Sequence, residues 1–277
     1  MDESRTILSE ADRLRHEELW GSEGYFQNAR KPEGEDGRVM IRRMNGGAHA
    51  LLAAWGFKLL DGIVGGQAEG ATEPEAIMDA GCGNDPAEDA AEPEATLDAG
   101  DSHVEGTTEP EAILDAGCGG GANLARWMDR CPGAKLTGLD FSPISVNESR
   151  RFNAEEISAG RCSVVQGDVM QMPFAENSFD CVSAFETVYF WPNIARAFAE
   201  VKRVLKPGGI FFICNESDAL DQRAIDACKL IRGMRLYKAE ELQVSLEQAG
   251  FGQIKLFRQP DTHYLAVIAK KLLSSKD

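Results

Sequence analysis

The sequence predicts an α/β protein with a doubly wound, mostly parallel sheet of seven strands and an N-terminal helical cap. Three observations indicate this class. Short apolar runs alternate with segments of helical periodicity from residue 112 to residue 248. The first run leads straight into a glycine-rich turn, residues 117–121, and then into a helix start. Two further apolar runs close the chain around Pro260.

Strands are expected where apolar residues run together, and helices where they recur every three or four positions. Strands are predicted over residues 112–115, 134–140, 162–168, 178–185, 210–214, 251–257 and 263–269. Helices are predicted over residues 48–57, 124–131, 144–159, 193–205 and 238–248, after a polar helical arm over 1–30. Residues 31–37 and 206–209, which contain proline and glycine, are predicted to be a loop and a turn. The helix over 48–57 is expected to cover either the sheet or a ligand site.

The negative charge is concentrated in one segment. The net charge is −16, yet the interval between Lys58 and Arg126 holds no Lys or Arg and sixteen Asp or Glu residues. Within it, residues 69–83 recur at 105–119 with thirteen of fifteen positions identical, and a degraded copy lies at 92–100. Only the third copy runs on into a helical pattern, so it is predicted to form the working strand. The predicted division is therefore an arm and cap over 1–60, a mobile acidic insert over 61–111 and the main domain over 112–277.

Composition excludes several classes of protein. Outside the acidic segment the chain is neutral, so a nucleic-acid partner, which needs a basic surface, is not expected. The seven cysteines are odd in number and form no Cys-x-x-Cys pair, which indicates reduced thiols and no zinc or other metal site. We expect a cytoplasmic protein, because neither a secretory leader nor an apolar run long enough to span a membrane is visible.

The glycine-rich turn carries the first functional signal. Asp115 followed by Gly117, Gly119 and Gly121 resembles the first motif of the class I S-adenosylmethionine (SAM)-dependent methyltransferases. Gly117-x-Gly119-x-x-Ala122 also fits the fingerprint of dinucleotide-binding proteins. The acid two residues before the first glycine favours SAM, because SAM presents an ammonium group where a dinucleotide presents phosphates.

Later motifs strengthen the resemblance, which covers residues 112–270 in order. Residues 167–174, 179–182 and 200–209 are similar to the adenine-binding stretch and to the fourth-strand and fifth-strand regions of that family. The resemblance implies a seven-stranded methyltransferase domain with SAM as cofactor. It implies that Asp140 holds the ribose, Asp115 holds the methionine end indirectly, and Asp168 holds the adenine amino group beside Val169. The full set of cofactor contacts that it implies is Asp115, Gly117, Cys118, Gly119, Asp140, Phe141, Asp168, Val169 and Phe185. Asp168 also fits a plain turn cap.

The loop after the fourth predicted strand, residues 185–191, faces the methyl acceptor by the same resemblance. An acceptor hydroxyl or ammonium must lose a proton, and Glu186, Tyr189 or His49 are the candidates to take it. The expected function is methyl transfer from SAM to a small molecule, without nucleic acid or membrane as partner. An NAD-dependent oxidoreductase and a SAM-binding protein without catalysis remain alternatives. The acceptor and the oligomeric state have no signal in the sequence.

Overall fold

The computed structural model describes residues 9–19, 23–61, 109–259 and 262–273. Its centre is one seven-stranded sheet in the order β3-β2-β1-β4-β5-β7-β6. The β7 strand pairs antiparallel with both of its neighbours, and all other pairs are parallel. The strands are β1 Ala112–Ala116, β2 Lys135–Asp140, β3 Cys162–Gln166, β4 Phe179–Phe185, β5 Leu205–Asn215, β6 Phe251–Arg258 and β7 Leu265–Lys271. The predicted fold class is confirmed.

Helices cover both faces of the sheet. They are α1 Glu10–Leu19, α2 Glu23–Gln27, α3 Gly34–Met44, α4 Gly47–Asp61, α5 Ala122–Arg130, α6 Pro143–Phe152, α7 Ala154–Ser158, α8 Ile194–Val204, α9 Gln222–Leu230 and α10 Ala239–Gln248. Successive side chains of a strand point to opposite faces, so β1 serves two cores. Ile113 packs in a cluster with α4, α5 and α6, whereas Leu114 packs in a cluster with α8 and α10.

The predicted helix over residues 144–159 is divided at Asn153 into α6 and α7. The Asn153 side chain is buried and donates hydrogen bonds to the carbonyl oxygens of Gly121, at 3.1 Å, and Ser149, at 3.0 Å. It therefore ties the end of α6 to the glycine-rich turn. Helical periodicity alone does not reveal such a break, because the apolar spacing continues across it.

Two predicted loops are regular structure. Residues 206–209 extend β5 backward to Leu205, with a register irregularity in the pairing of β4 with β5. The loop predicted over residues 31–37 contains the first turn of α3. Gly37 fits a loop by its residue type, but it lies in the first turn of α3 and is required for packing, since a Cβ there would lie 2.7 Å from the Pro32 carbonyl carbon. Helix α9 and a short 3-10 helix, Val188–Phe190, were not predicted.

The N-terminal helices lie over the carboxyl edge of the sheet, and we call α2, α3 and α4 the roof. Gln27 of α2 holds the α9 region, donating to the Leu230 carbonyl at 2.7 Å and accepting from the Arg232 amide at 3.0 Å. Arg42 of α3 pairs with Asp12 at 2.7 Å and lies 3.9 Å from Glu148 of α6. Polar side chains thus fix the roof to the rest of the domain at several points.

The third copy of the repeated segment forms β1, as predicted. The first and second copies, with most of the predicted insert and Cys82, lie outside the described residues. The cysteines in the described part are free thiols, and five of these six are buried. No helix among the described residues is long and apolar enough to cross a membrane.

Candidate active site

A cavity of about 350 Å³ lies between the roof and the carboxyl ends of β1, β2 and β4. Its volume falls at the lower end of the range for small-molecule sites. The sheet side of its wall is the glycine-rich turn with Asp140, Asp168 and Phe185, and the roof contributes Ile41, Asn45 and His49. The helix predicted over 48–57 therefore covers a ligand site as well as the sheet.

The glycines of the turn are needed for different structural reasons. A Cβ on Gly117 would collide with Thr187, and one on Gly120 would lie 2.5 Å from Asn45 and Ile41. A Cβ on Gly119 would meet nothing within 4 Å, although its φ of +51° lies in the left-handed region. Gly119 lines the cavity. Packing does not explain this glycine, so the open space beside it fits a bound molecule that approaches the backbone closely.

Asp140 ends β2 and connects two parts of the cavity wall. Its Oδ2 accepts the Gly119 amide at 2.9 Å, and its Oδ1 accepts the Ser142 amide at 2.8 Å. Burial raises the pKa of this carboxyl, while the two backbone donors act against that rise. Each carboxylate oxygen has a second lone pair, so the group can fix the turn and still accept hydrogen bonds from a ligand.

Asp115 does not line the cavity, although the sequence motif begins with it. It is buried at the end of β1, where its Oδ1 accepts a hydrogen bond from the Ser183 hydroxyl at 2.8 Å. Trp127 of α5 donates to the same hydroxyl at 3.0 Å. Burial raises the Asp115 pKa to about 7, and the Ser183 hydrogen bond only partly opposes that rise. Any action of Asp115 on a ligand must therefore pass through the glycine-rich turn.

The predicted adenine contacts, Asp168 and Val169, lie at another part of the wall together with Phe141, a further predicted cofactor contact. Phe141, Asp168 and Val169 all line the cavity, and Phe141 is 62% exposed. Asp168 also caps its own turn, since its Oδ1 accepts the Met170 amide at 2.8 Å. Both interpretations of Asp168 are thus compatible with the structure. Cys118 and Phe185 line the cavity as well, and Phe185 stacks on Phe57 of the roof.

Three side chains from separate elements meet on the roof side of the cavity, and we call His49, Glu186 and Glu216 the acid–histidine cluster. The Nε2 atom of His49 lies 3.7 Å from Glu186 Oε2 and 3.9 Å from Glu216 Oε2. Burial raises the Glu186 pKa well above its ordinary value, and the neighbouring Glu216 raises it further. Burial lowers the His49 pKa, against the opposing effect of Glu216. His49 and Glu186 line the cavity, so the cluster can act on a molecule bound there.

Tyr189, the third predicted catalytic residue, is not on the cavity wall. The side chain is 3% exposed, and its hydroxyl has no partner at normal hydrogen-bond geometry among the described residues. It lies close enough to Glu186 for the two groups to change each other's pKa, and burial raises its own. Tyr189 therefore does not line the cavity, because the 3-10 helix Val188–Phe190 turns its ring into the protein, and any part in proton uptake would pass through Glu186.

Sequence reasoning missed three residues of the site. Glu216 follows the buried run of β5, and an acid at the carboxyl end of a strand is the signal that could have indicated it. Asn45 donates to the Gly120 carbonyl at 3.3 Å from the end of α3. Arg126 lines the cavity from α5, and its buried Nη2 has no hydrogen-bond partner among the described residues. Buried polar atoms are normally paired, so the Arg126 guanidinium fits an anionic group of a ligand.

Replacing Gly119 with alanine is expected to reduce the affinity for SAM, the cofactor that the sequence motif implies, at least tenfold, because the new Cβ enters the open space of the cavity. Gly160→Ala is the matched control, since Gly160 also has a positive φ, +74°, and open space around it, but does not line the cavity. Both variants should lose about 1 kcal/mol of stability from backbone strain. Titration with S-adenosylhomocysteine by calorimetry measures the difference, and equal affinities for the two variants would contradict the assignment.

The order of the strands, the antiparallel β7 and a ligand cavity at the carboxyl ends of β1, β2 and β4 define the class I methyltransferase fold. Residues 114–213 match a protein-family model described as a methyltransferase domain. Residues 114–213 therefore belong to a methyltransferase domain, and its architecture is that of the class I SAM-dependent methyltransferases.

Sterol methyltransferases are among the relatives by sequence. Sterol 24-C-methyltransferase ERG6B of Gibberella zeae is 34% identical over 136 residues, which cover 46% of this chain and 36% of the relative. Sterol 4-C-methyltransferase strm-1 of Caenorhabditis elegans is 38% identical over 84 residues, 29% of this chain and 24% of the relative. The chain thus spans about a third or less of the length of these relatives.

Solved structures agree on the fold. A possible histamine N-methyltransferase of Thermotoga maritima superposes with a TM-score of 0.50 at 18% identity, covering 59% of this chain and 82% of that one. Phosphoethanolamine N-methyltransferase 2 of Haemonchus contortus, in complex with SAM, gives 0.52 at 17% identity, covering 59% and 49%. At these identities the similarity establishes the architecture alone.

Proposed function

We propose that this protein transfers a methyl group from SAM to a small-molecule acceptor that binds beside the acid–histidine cluster. The observation that carries the proposal is the cavity itself. One part of its wall joins the open space at Gly119 to the Asp140 carboxylate, and another part presents His49 and Glu186. A donor and an acceptor can therefore lie in one enclosed space.

The residues on the sheet side suit the three chemical parts of SAM. Asp140 would accept hydrogen bonds from the ribose hydroxyls, and Asp168 with Val169 would hold the adenine against Phe141. The methionine part would lie along Gly119, with its carboxylate toward the Arg126 guanidinium. When bound, SAM supplies a methyl group on a positively charged sulfonium sulfur, which an acceptor atom displaces in line.

The residues on the roof side would act on the acceptor. Holding the acceptor atom in line with the methyl group is the main contribution that binding can make to the rate. An O–H or N–H acceptor also loses a proton, and the acid–histidine cluster supplies groups that can take it up. The named relatives methylate sterols, so a sterol belongs in any panel of acceptors, together with small amines and alcohols.

Replacing His49 with alanine, or Glu186 with glutamine, is expected to reduce methyl transfer at least a hundredfold, as is usual when a group that handles a proton is lost. Affinity for S-adenosylhomocysteine should stay within about threefold, because Asp140 and the glycine-rich turn are unchanged. Methyl transfer is measured from methyl-labelled SAM with a broad panel of acceptors. Equal losses of methyl transfer and of cofactor affinity would place these side chains in the cofactor site instead.

Calorimetry with S-adenosylhomocysteine and with NADH separates the proposal from the two alternatives. Tight binding of NADH without binding of S-adenosylhomocysteine would favour an oxidoreductase. Binding of S-adenosylhomocysteine without methyl transfer to any acceptor of the panel would favour a SAM-binding protein without catalysis. The proposal requires binding of S-adenosylhomocysteine together with transfer to at least one acceptor.

A further inference from the structure

The acid–histidine cluster has the composition and spacing of a metal site. One imidazole nitrogen and two carboxylate oxygens, from His49, Glu186 and Glu216, all lie within 4.8 Å of one another. They come from α4, from the loop after β4 and from the loop after β5, which are far apart in the chain. This distance in sequence is why no metal site was predicted from the sequence.

The backbone holds the cluster in place. Glu186 Oε1 accepts the backbone amide of Glu216 at 2.5 Å, so the two acidic loops are directly connected. The Glu186 amide in turn donates to the Cys214 carbonyl at 2.9 Å. Glu186 Oε2 is the oxygen that faces His49. Metal ligands are typically oriented by such additional hydrogen bonds.

The two separations that involve the His49 nitrogen favour a metal ion over an organic ammonium group. Two ligand atoms at about 2.1 Å from a metal are separated by about 3.4 to 3.8 Å at angles of about 110–130°. Two acceptors at about 2.8 Å from an ammonium nitrogen are separated by about 4.6 Å at the tetrahedral angle. The observed separations of 3.7 and 3.9 Å agree better with the first geometry.

The Tyr189 side chain lies beside the cluster. It is 97% buried, and its hydroxyl lies next to the Glu186 carboxylate without reaching normal hydrogen-bond geometry. Buried polar groups normally form well-aligned hydrogen bonds to protein or to ordered water. Water bound to a metal at the cluster would give this hydroxyl a better-aligned partner.

We propose that His49, Glu186 and Glu216 bind one divalent transition-metal ion, such as Mn²⁺ or Zn²⁺, on the roof side of the cavity. Three protein ligands leave at least one position open, which is the arrangement of metal sites that also bind substrate. Imidazole and carboxylate together suit these ions. In the proposed methyltransferase the open position would take an oxygen of the acceptor. The ion would then assist the loss of the acceptor's proton in place of proton uptake by His49 Nε2, and this role alone rests on the proposed function.

The test uses the full chain, treated with a chelator, dialysed and titrated with MnCl₂ alone. Electron paramagnetic resonance of free Mn²⁺ gives the stoichiometry and the affinity without any methyl transfer. We expect one ion per chain, with the affinity lowered at least tenfold in His49→Ala and in Glu216→Gln. Glu216 is 48% exposed, so the second variant should fold normally. Glu176→Gln, which replaces an exposed acid outside the cluster, is the matched control and should bind within twofold of the parent.

Several results would overturn the proposal. Absence of stoichiometric Mn²⁺ binding, with Zn²⁺ also failing to raise the melting temperature, would exclude the site. Equal Mn²⁺ affinity in the parent and in both cluster variants would place the ion elsewhere in the chain. Binding of tetramethylammonium in the cavity, by a protein that does not bind Mn²⁺, would show that the cluster recognises an organic cation. Each of these results is compatible with normal binding of S-adenosylhomocysteine and with methyl transfer. The metal proposal can therefore fail while the proposed function holds.

Discussion

Asp140→Ala is expected to lower the affinity for SAM by at least tenfold. The carboxylate accepts hydrogen bonds from the Gly119 and Ser142 amides. It is also the proposed partner of the ribose hydroxyls. Hydrogen bonds to a charged group contribute about 1.5–3 kcal/mol each, so losing two to the ligand exceeds a tenfold effect. The loosened turn adds to that loss. Calorimetric titration with S-adenosylhomocysteine measures it.

Asp140→Asn separates the structural role of this side chain from its proposed role in binding the ribose. The amide oxygen of asparagine can still accept one backbone hydrogen bond, but the NH₂ group cannot accept any from a ribose. We expect the asparagine variant to melt closer to the parent than the alanine variant does, while its cofactor affinity stays low. If a folded alanine variant bound S-adenosylhomocysteine as tightly as the parent, the cofactor site would have to lie elsewhere.

The second large effect concerns pH and Asp115. Burial raises the pKa of this carboxyl from 3.8 to about 7, so the folded protein holds the proton more tightly than the unfolded chain. Its contribution to stability is fully present below pH 3.8 and is lost as the pH rises toward 7. The shift corresponds to about 4 kcal/mol between these limits. The ligand-free protein should therefore become less stable over this interval because of Asp115.

Asp115→Asn should remove this dependence on pH. The amide cannot ionise, and its oxygen can still accept the Ser183 hydroxyl, although its NH₂ group has no evident partner and costs about 1–3 kcal/mol. We expect the variant to melt higher than the parent at pH 8, to melt no higher at pH 5, and to bind SAM more weakly. Thermal scans without ligand from pH 5 to pH 8 provide the measurement.

The exposed Asp226→Asn is the control for that series, because the neighbouring Lys229 lowers the pKa of Asp226 instead of raising it. Its melting curve should follow the parent across the whole range. A parent and an Asp115→Asn variant with the same slope of melting temperature against pH would show that Asp115 does not titrate in this interval.

Local patterns were sufficient to predict the sheet. Ile113 and Leu114 point to opposite faces of β1, and both are apolar because helices cover both faces. An apolar run of this kind followed by glycines can be recognised in one short stretch of sequence. The same holds for Asp140, which directly follows an apolar run. The open space beside Gly119 is compatible with its predicted role, whereas the loop pattern around Gly37 hides a glycine that the close approach of Pro32 requires.

The acid–histidine cluster shows why part of the site could not be predicted. His49 and Glu186 were proposed separately, but their meeting with Glu216 depends on how the roof packs against the sheet. The direction of Tyr189 depends on a short 3-10 helix that no periodicity indicates. The break at Asn153 has a similar cause, since it arises from a hydrogen bond to Gly121, more than thirty residues earlier.

The roof precedes the sheet in the chain, and this order has an evolutionary consequence. The family match begins at Leu114, whereas His49 comes from α4. The roof therefore adds His49 to the acceptor side from outside the family match, whereas Glu186 lies inside that match. Exchange of residues 23–61 between homologous proteins could change the molecule that is methylated while the donor site is inherited intact. A change of acceptor would then need substitutions in residues 23–61 and none in the residues proposed to hold the donor.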